Sequence, residues 1–439
     1  MLITNRILTF KKPILSRFST YVLRIFLLFW GGVTMGSPLV MAAEEEPSQT
    51  LTLTDAIQRT FNHNPELQTF QYQLEAQEGR KIQAALSPKP EVSLTIEDTL
   101  GSGGFSGFDS AQTTLSVAWI LDQNLKDERV QVASKGINLI ESKKTIKQLD
   151  SATQTARYFL TALSYQESAV IASRAIALAK STVKEINNRV KIGKTPLAEL
   201  YRAEAELAKR RLVLDDVKHE LESSIRQLAS QWGSTQPTFR SISGSLVDRP
   251  NVMSFHSLKT QIKNNPNLSQ YLSVDRVTEA QLMLAQEERN PQWKFTTGVR
   301  RYERTDDFGI VAGISIPFGG SNRNQGRIAE VKAKLSQNQS EADALRIRIE
   351  TTLFIVYQQL QHSLHLGDMF KNEIIPKLEK ALTETHKAYQ LGKYSYLEWL
   401  TVQNELLDAQ SALLDASLTA HLKKLEIERL TGSQITSPF

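Results

Sequence analysis

The sequence predicts a mainly α fold in which long antiparallel coiled-coil helices carry a few β-strands, and three observations predict it. The chain is written twice: Asn64-Pro65 before Leu67 recurs as Asn265-Pro266 before Leu268, Pro90 recurs as Pro291, and Gly193-Lys194 recurs as Gly392-Lys393. Four short runs alternate apolar and polar residues, which places the apolar side chains on one face of a strand. Long proline-poor stretches keep the three- and four-residue steps of coiled coils. A repeat of about 200 residues is too long for a solenoid unit and implies a duplicated half-structure.

The first 43 residues hold five basic residues (Arg6, Lys11, Lys12, Arg17 and Arg24) and no acid, then the apolar stretch Ile25 to Val33 and small residues at Ala42-Ala43. This is the layout of a cleaved secretory signal peptide, with an uncleaved membrane anchor as the alternative. The remainder carries 47 basic and 47 acidic residues, so the basic pI belongs mostly to the leader and there is no electrostatic case for nucleic-acid binding. The chain has no cysteine, which excludes disulfides, thiolate metal sites and a lipid-anchoring cysteine.

Thr54-Asp55 opens a helical pattern that runs to about Ser87, with Thr54 a suitable N-cap, and Pro88 and Pro90 stop it. The alternating runs are Val92, Leu94, Ile96; Leu115, Val117, Trp119, Leu121; Trp293, Phe295, Thr297, Val299; and Ile310, Ala312, Ile314, Ile316, Phe318. They form one hairpin per copy, with tip loops over Glu97 to Gln112 and Arg300 to Phe308. Asn124 to Ile192 has no proline and one glycine, Gly136, and as a single helix would extend about 100 Å. Its partner after Gly193 places Leu200, Leu207, Leu214, Leu221 and Leu228 seven apart, and Trp399, Leu406, Leu413, Ala420 and Ile427 repeat that step after Gly392. Gly233 to Pro250 lacks a helical stripe and reads as a linker. In the second copy Gly367 and Pro376 interrupt the long helix, with a kink expected near Pro376. The expected organisation is a leader at 1–43, a first repeat at 44–232 with hairpin 91–121, a linker at 233–250, and a second repeat at 251–439 with hairpin 292–318.

Strands of this length with one apolar face fit either a small soluble sheet or a transmembrane barrel. Four strands cannot close a barrel, so in the second case several protomers pool their strands, and their coiled-coil hairpins continue the pore as a tube.

Several segments carry a family resemblance: Leu53-Thr54-Asp55-Ala56-Ile57 with Asn64-Pro65, Val190-Lys191-Ile192-Gly193, Tyr389-Gln390-Leu391-Gly392-Lys393-Tyr394-Ser395, and Ile316-Pro317-Phe318-Gly319 leading to Asn324-Gln325-Gly326-Arg327-Ile328. On these the mature chain resembles the TolC-like outer-membrane efflux proteins, most of all their heavy-metal cation branch. The resemblance implies a homotrimer in the outer membrane, with a 12-stranded transmembrane β-barrel and a trimeric, periplasmic α-helical barrel. It also implies a periplasmic adaptor (membrane fusion) protein and an inner-membrane pump of the resistance-nodulation-division type, with this subunit as a passive channel that needs no cofactor. The adaptor would dock on the tips at Val190, Gly193, Lys194, Leu200, Leu391, Gly392, Lys393 and Leu400. Some relatives close the tube with an acidic ring; here Thr383 stands where an acid is expected, leaving Glu384 and then Glu379 as gate candidates.

Gly193-Lys194-Thr195 is no phosphate loop, because Asn188 replaces the required glycine and a helix precedes it. His362 and His365 share a helix face but read as surface residues. No catalytic, cofactor-binding or metal-binding constellation is expected. Multidrug efflux or type I protein secretion is the alternative cargo, and a soluble periplasmic coiled-coil scaffold is the alternative of another class.

Overall fold

The computed structural model describes residues 50–319 and 323–435. The expected leader lies outside these residues.

The first copy begins with strand β1 (Thr50–Leu51) and helices α1 (Leu53–His63) and α2 (Pro65–Ala84). Two sequence expectations are corrected here. The N-cap is Thr52, whose hydroxyl accepts from the Asp55 amide, and Thr54 lies inside the first turn. The helix is also not continuous, because Asn64 has extended geometry and recaps the chain. Pro65 restricts the residue before it to that region, and its missing N–H is harmless at a helix start.

Strands β2 (Glu91–Glu97) and β3 (Gln112–Leu121) lead into α3 (Gln123–Lys191), a single helix of 69 residues. Helix α4 (Leu197–Ala229) returns along it. The second copy repeats the plan with α5 (Phe255–Gln261), α6 (Pro266–Glu287), β5 (Trp293–Tyr302), β6 (Asp307–Ser315), α7 (Gln325–Met369), α8 (Ile375–Gln390) and α9 (Tyr396–Thr431). The helix passes Gly367 without a break, contrary to expectation, and a π-turn at Phe370–Ile374 separates α7 from α8. Pro376 lacks an N–H and its ring crowds the carbonyl four residues earlier, so the widened turn falls where the α ladder cannot continue.

The two Asn-Pro pairs make matching contacts. Asn64 Oδ1 accepts from the amides of Glu66 and Leu67 while its Nδ2 donates to the Gln231 carbonyl at 2.7 Å. Asn265 accepts from the Asn267 amide and donates to the Leu430 carbonyl at 2.9 Å. Each Asn-Pro pair therefore caps one helix and ties it to the last turn of another, which explains why both copies carry it.

The segment 233–250 does more than connect the copies. Its strand β4 (Ser241–Ile242) pairs in parallel with β1, and Phe239, Ile242 and Leu246 are buried with Phe159, Leu160 and Leu163 of α3 and Leu425 of α9. The Gln166 side chain accepts from the Ile242 amide and donates to the Ile242 carbonyl, both at 2.9 Å. Glu167 accepts from the Leu246 amide, and buried His421 of α9 donates from Nε2 to the carbonyls of Leu246 and Asp248.

Burial holds the His421 imidazole below its ordinary range, because the loss of water from a charged ring outweighs the hydrogen bonds to the Leu246 and Asp248 carbonyls. The unfolded chain then takes up the proton first as pH falls below about 6.5, so stability drops with acidification through that window. Comparing melting temperatures of the wild type and His421→Gln between about pH 7.5 and pH 5 checks this. The wild-type advantage is expected to shrink as pH falls.

Candidate functional site: the amphipathic sheet and the helical tips

The two hairpins join into one four-stranded antiparallel sheet in the order β2-β3-β5-β6. Register brings the alternating runs onto one face, with rows Leu94–Leu115–Val299–Ile310, Val92–Val117–Thr297–Ala312 and Trp119–Phe295–Ile314. That face is bare: Val92 is 70% exposed, Leu94 65% and Ile310 86%. A contiguous exposed apolar surface of this kind marks an interaction with lipid or protein.

The other face is polar. Arg300 reaches Thr114 at 2.8 Å, and Gln112 and Glu97 at 3.0 Å, across three strands, while Lys294 pairs with Glu91. These contacts explain a correction to the second hairpin. Arg300 and Arg301 belong to β5 rather than to the loop, and the turn shortens to residues 303–306. Strand β6 ends at Ser315, before Pro317, so Ile316 and Phe318 fall outside it. Gly298 sits where β3 and β5 approach, and a Cβ there would lie 2.5 Å from the Leu115 carbonyl oxygen. Strands β2 and β6 are the sheet edges, each bonded on one side only.

At the far end of the helices both turns have the same geometry. Gly193 and Gly392 adopt φ of 71° and 72°. The amides of Gly193 and Lys194 return to the carbonyls of Val190 and Arg189, and those of Gly392 and Lys393 to Tyr389 and Ala388. These are Schellman caps, which need the left-handed conformation that glycine adopts without strain.

The two tips pack on each other through a core of Ile186, Leu200, Ala203, Tyr389, Tyr396 and Trp399. Trp399 stacks on His386 at 4.5 Å and on Tyr389 at 5.1 Å, with Tyr396 edge-on at 6.4 Å. Burial pushes the Tyr396 phenol up to about 12, so it stays neutral. Arg189 lies over the Tyr389 ring at 4.6 Å and donates to the Gln390 carbonyl, while His386 Nε2 meets Glu185 Oε2 at 2.8 Å.

The eight docking candidates therefore divide. Gly193, Lys194, Leu391, Gly392 and Lys393 are exposed on the turns. Leu200 is buried in the tip core, with Val190 and Leu400 packed against it, so these three build the tip. The exposed apolar side chains beside the turns are Ile192, Leu197, Tyr394 and Leu397, which sequence reasoning missed although each breaks the heptad stripe. Glu384 and Glu379 are exposed on α8, and Glu384 pairs with Lys387 at 2.7 Å. Its repeat counterpart is Glu185, which instead turns inward to His386. His362 and His365 are exposed on α7, and no group of three or more His, Cys, Asp or Glu side chains suited to a metal occurs among the described residues.

Residues 258–433 match the sequence profile of the outer membrane efflux protein family. The chain is 24% identical to the cobalt-zinc-cadmium resistance protein CzcC of Cupriavidus metallidurans, over 90% of this chain and 94% of that protein. It is 22% identical to the nickel-cobalt-cadmium resistance protein NccC of Alcaligenes xylosoxydans xylosoxydans, over 71% of each. The crystal structure of the transmembrane channel protein CusC superposes with a TM-score of 0.70 at 14% identity, covering 87% of this chain and 92% of that one. With its repeated helical hairpins and four-stranded sheet, the chain is similar over residues 258–433 to the outer membrane efflux protein family, over most of its length to CzcC, and in fold to CusC.

Proposed function

We propose that the chain is the passive outer-membrane subunit of a tripartite efflux assembly that exports divalent heavy-metal cations. The sheet carries this reading. It has one bare apolar face, one polar face, and two edges open for pairing, and an open edge is not tolerated in lipid. Three copies would close a barrel of twelve strands, with the Arg300 and Lys294 networks lining its lumen and the helices continuing as a periplasmic tube. A soluble scaffold has no use for such a face. Similarity to CzcC and NccC over most of the chain favours cations over drugs or polypeptides as cargo.

Deletion of the gene in its native host tests the cargo. The mutant should be sensitised to cobalt, zinc, cadmium or nickel, with unchanged antibiotic tolerance; sensitisation to antibiotics alone would remove the cation reading. Outer-membrane fractionation with heat-modifiable gel mobility tests the channel itself, and a soluble monomer would sink it.

The tips would dock the periplasmic adaptor, which in turn joins the inner-membrane pump. Proline at Gly193 or Gly392 cannot reach positive φ and removes the amide that closes each cap. Each substitution is expected to abolish capture of the adaptor in crosslinking while the trimers survive. A loss of trimers would show instead that the turns serve only the fold.

A further inference from the structure

An open cleft of about 480 Å³ lies where the middle of the sheet meets the helices, between the junctions of β3 with α3 and of α6 with β5. We propose that it holds the headgroup of a zwitterionic phospholipid with a primary ammonium group, drawn from the periplasmic leaflet; this rests on reading the sheet as membrane-spanning.

Position supplies the first argument. Leu121 and Trp293, which line the cleft, are the last paired row of the two central strands and share the apolar face. The row above is Trp119 and Phe295, stacked at 6.2 Å, with Trp293 at 6.3 Å from Phe295. Clustered aromatic rings at one end of an apolar band belong at the headgroup level of a bilayer. The cleft is thus continuous with the lipid-facing surface. It is also two strands' width from pairing partners, because neighbouring copies would join at β2 and β6.

Chemistry supplies the second. Glu287 lines the cleft, half-buried, and accepts only from Asn290 Nδ2 at 2.9 Å, with no basic partner among the described residues. Asp122 is already paired with Arg129 at 2.7 Å. The side-chain amides of Asn124 and Gln292, also on the wall, have no hydrogen-bond partner among the described residues. An unneutralised carboxylate beside free amide donors and aromatic rings matches an ammonium, a phosphodiester and a glycerol backbone in turn. The same carboxylate repels a headgroup of net negative charge, and a quaternary ammonium lacks the N–H donors it would accept.

The test uses full-length trimers in nanodiscs of equal parts phosphatidylethanolamine, phosphatidylglycerol and phosphatidylcholine, with retained lipid counted by native mass spectrometry. Phosphatidylethanolamine should be enriched by about fivefold, the scale of a partly exposed ion pair. Glu287→Gln should abolish the enrichment without altering melting temperature, and the double variant Asn124→Ala, Gln292→Ala should lower retention of all three lipids. Trimers that enter the discs yet show no headgroup preference, or a preference untouched by Glu287→Gln, overturn the lipid site and leave the channel standing. Protein that does not enter the discs as trimers takes both down.

Discussion

Trp399→Ala is expected to lower tip stability by about 3–5 kcal/mol, the cost of deleting a fully packed aromatic side chain. Trp399 is 4% exposed and is the only residue of the tip core that touches three other rings, those of His386, Tyr389 and Tyr396. Removing it leaves the Arg189–Tyr389 and Glu185–His386 contacts without a floor. Limited proteolysis should open at residues 189–200 and 389–400, while the sheet persists. Trp399→Phe keeps a stacked ring and should retain most of the stability. A tip equally resistant in all three proteins would contradict the assignment of the tip core to this residue.

Gly432→Ala is expected to cost about 3 kcal/mol or more, and its repeat counterpart Gly233→Ala only about 1 kcal/mol. Both glycines end a helix with positive φ, at 68° and 74°. A Cβ on Gly432 would fall against the carbonyl oxygen of Asn264, a backbone atom that cannot turn aside, and would strain the Asn265 tie to Leu430. A Cβ on Gly233 meets nothing closer than Pro65 Cγ at 3.6 Å, an ordinary contact. Melting temperatures of the two variants should therefore differ widely, although the sequence gives the two glycines equivalent places. Equal shifts would refute the asymmetry.

The periodic parts of the molecule were legible in the sequence because their information is local. Heptad leucines announce α4, alternation announces four strands, and Gly193 and Gly392 announce the turns. What escaped depends on neighbours distant in the chain. Trp399 reads as one more heptad position, and only packing reveals it as the centre of the tip. Glu185 and His386 give no signal of their pairing, since nothing local distinguishes Glu185 from Glu384 on the surface. The parallel strand β4 is two residues long, too short for any period, so residues 233–250 looked structureless although Phe239, Ile242 and Leu246 are buried. The π-turn was anticipated only as a disturbance near Pro376.

Among the described residues helix α9 contributes to three buried clusters: Leu414 and Leu425 to the one around Phe159, Ala420, Ile427 and Leu430 to one shared with Leu353 and Leu360 of α7, and Trp399 to the tip. None of these cores is complete until the last helix of 36 residues has been supplied. Contacts such as Arg429 with Asp150 and Gln403 with Thr182 span 279 and 221 residues, so ordering must wait for chain that is synthesised last. A polypeptide built this way completes its buried packing only when synthesis is nearly finished. Truncation anywhere before Trp399 would then give a species that keeps secondary structure but exposes apolar surface in each of these clusters, a substrate for chaperones and proteases rather than a shorter version of the fold.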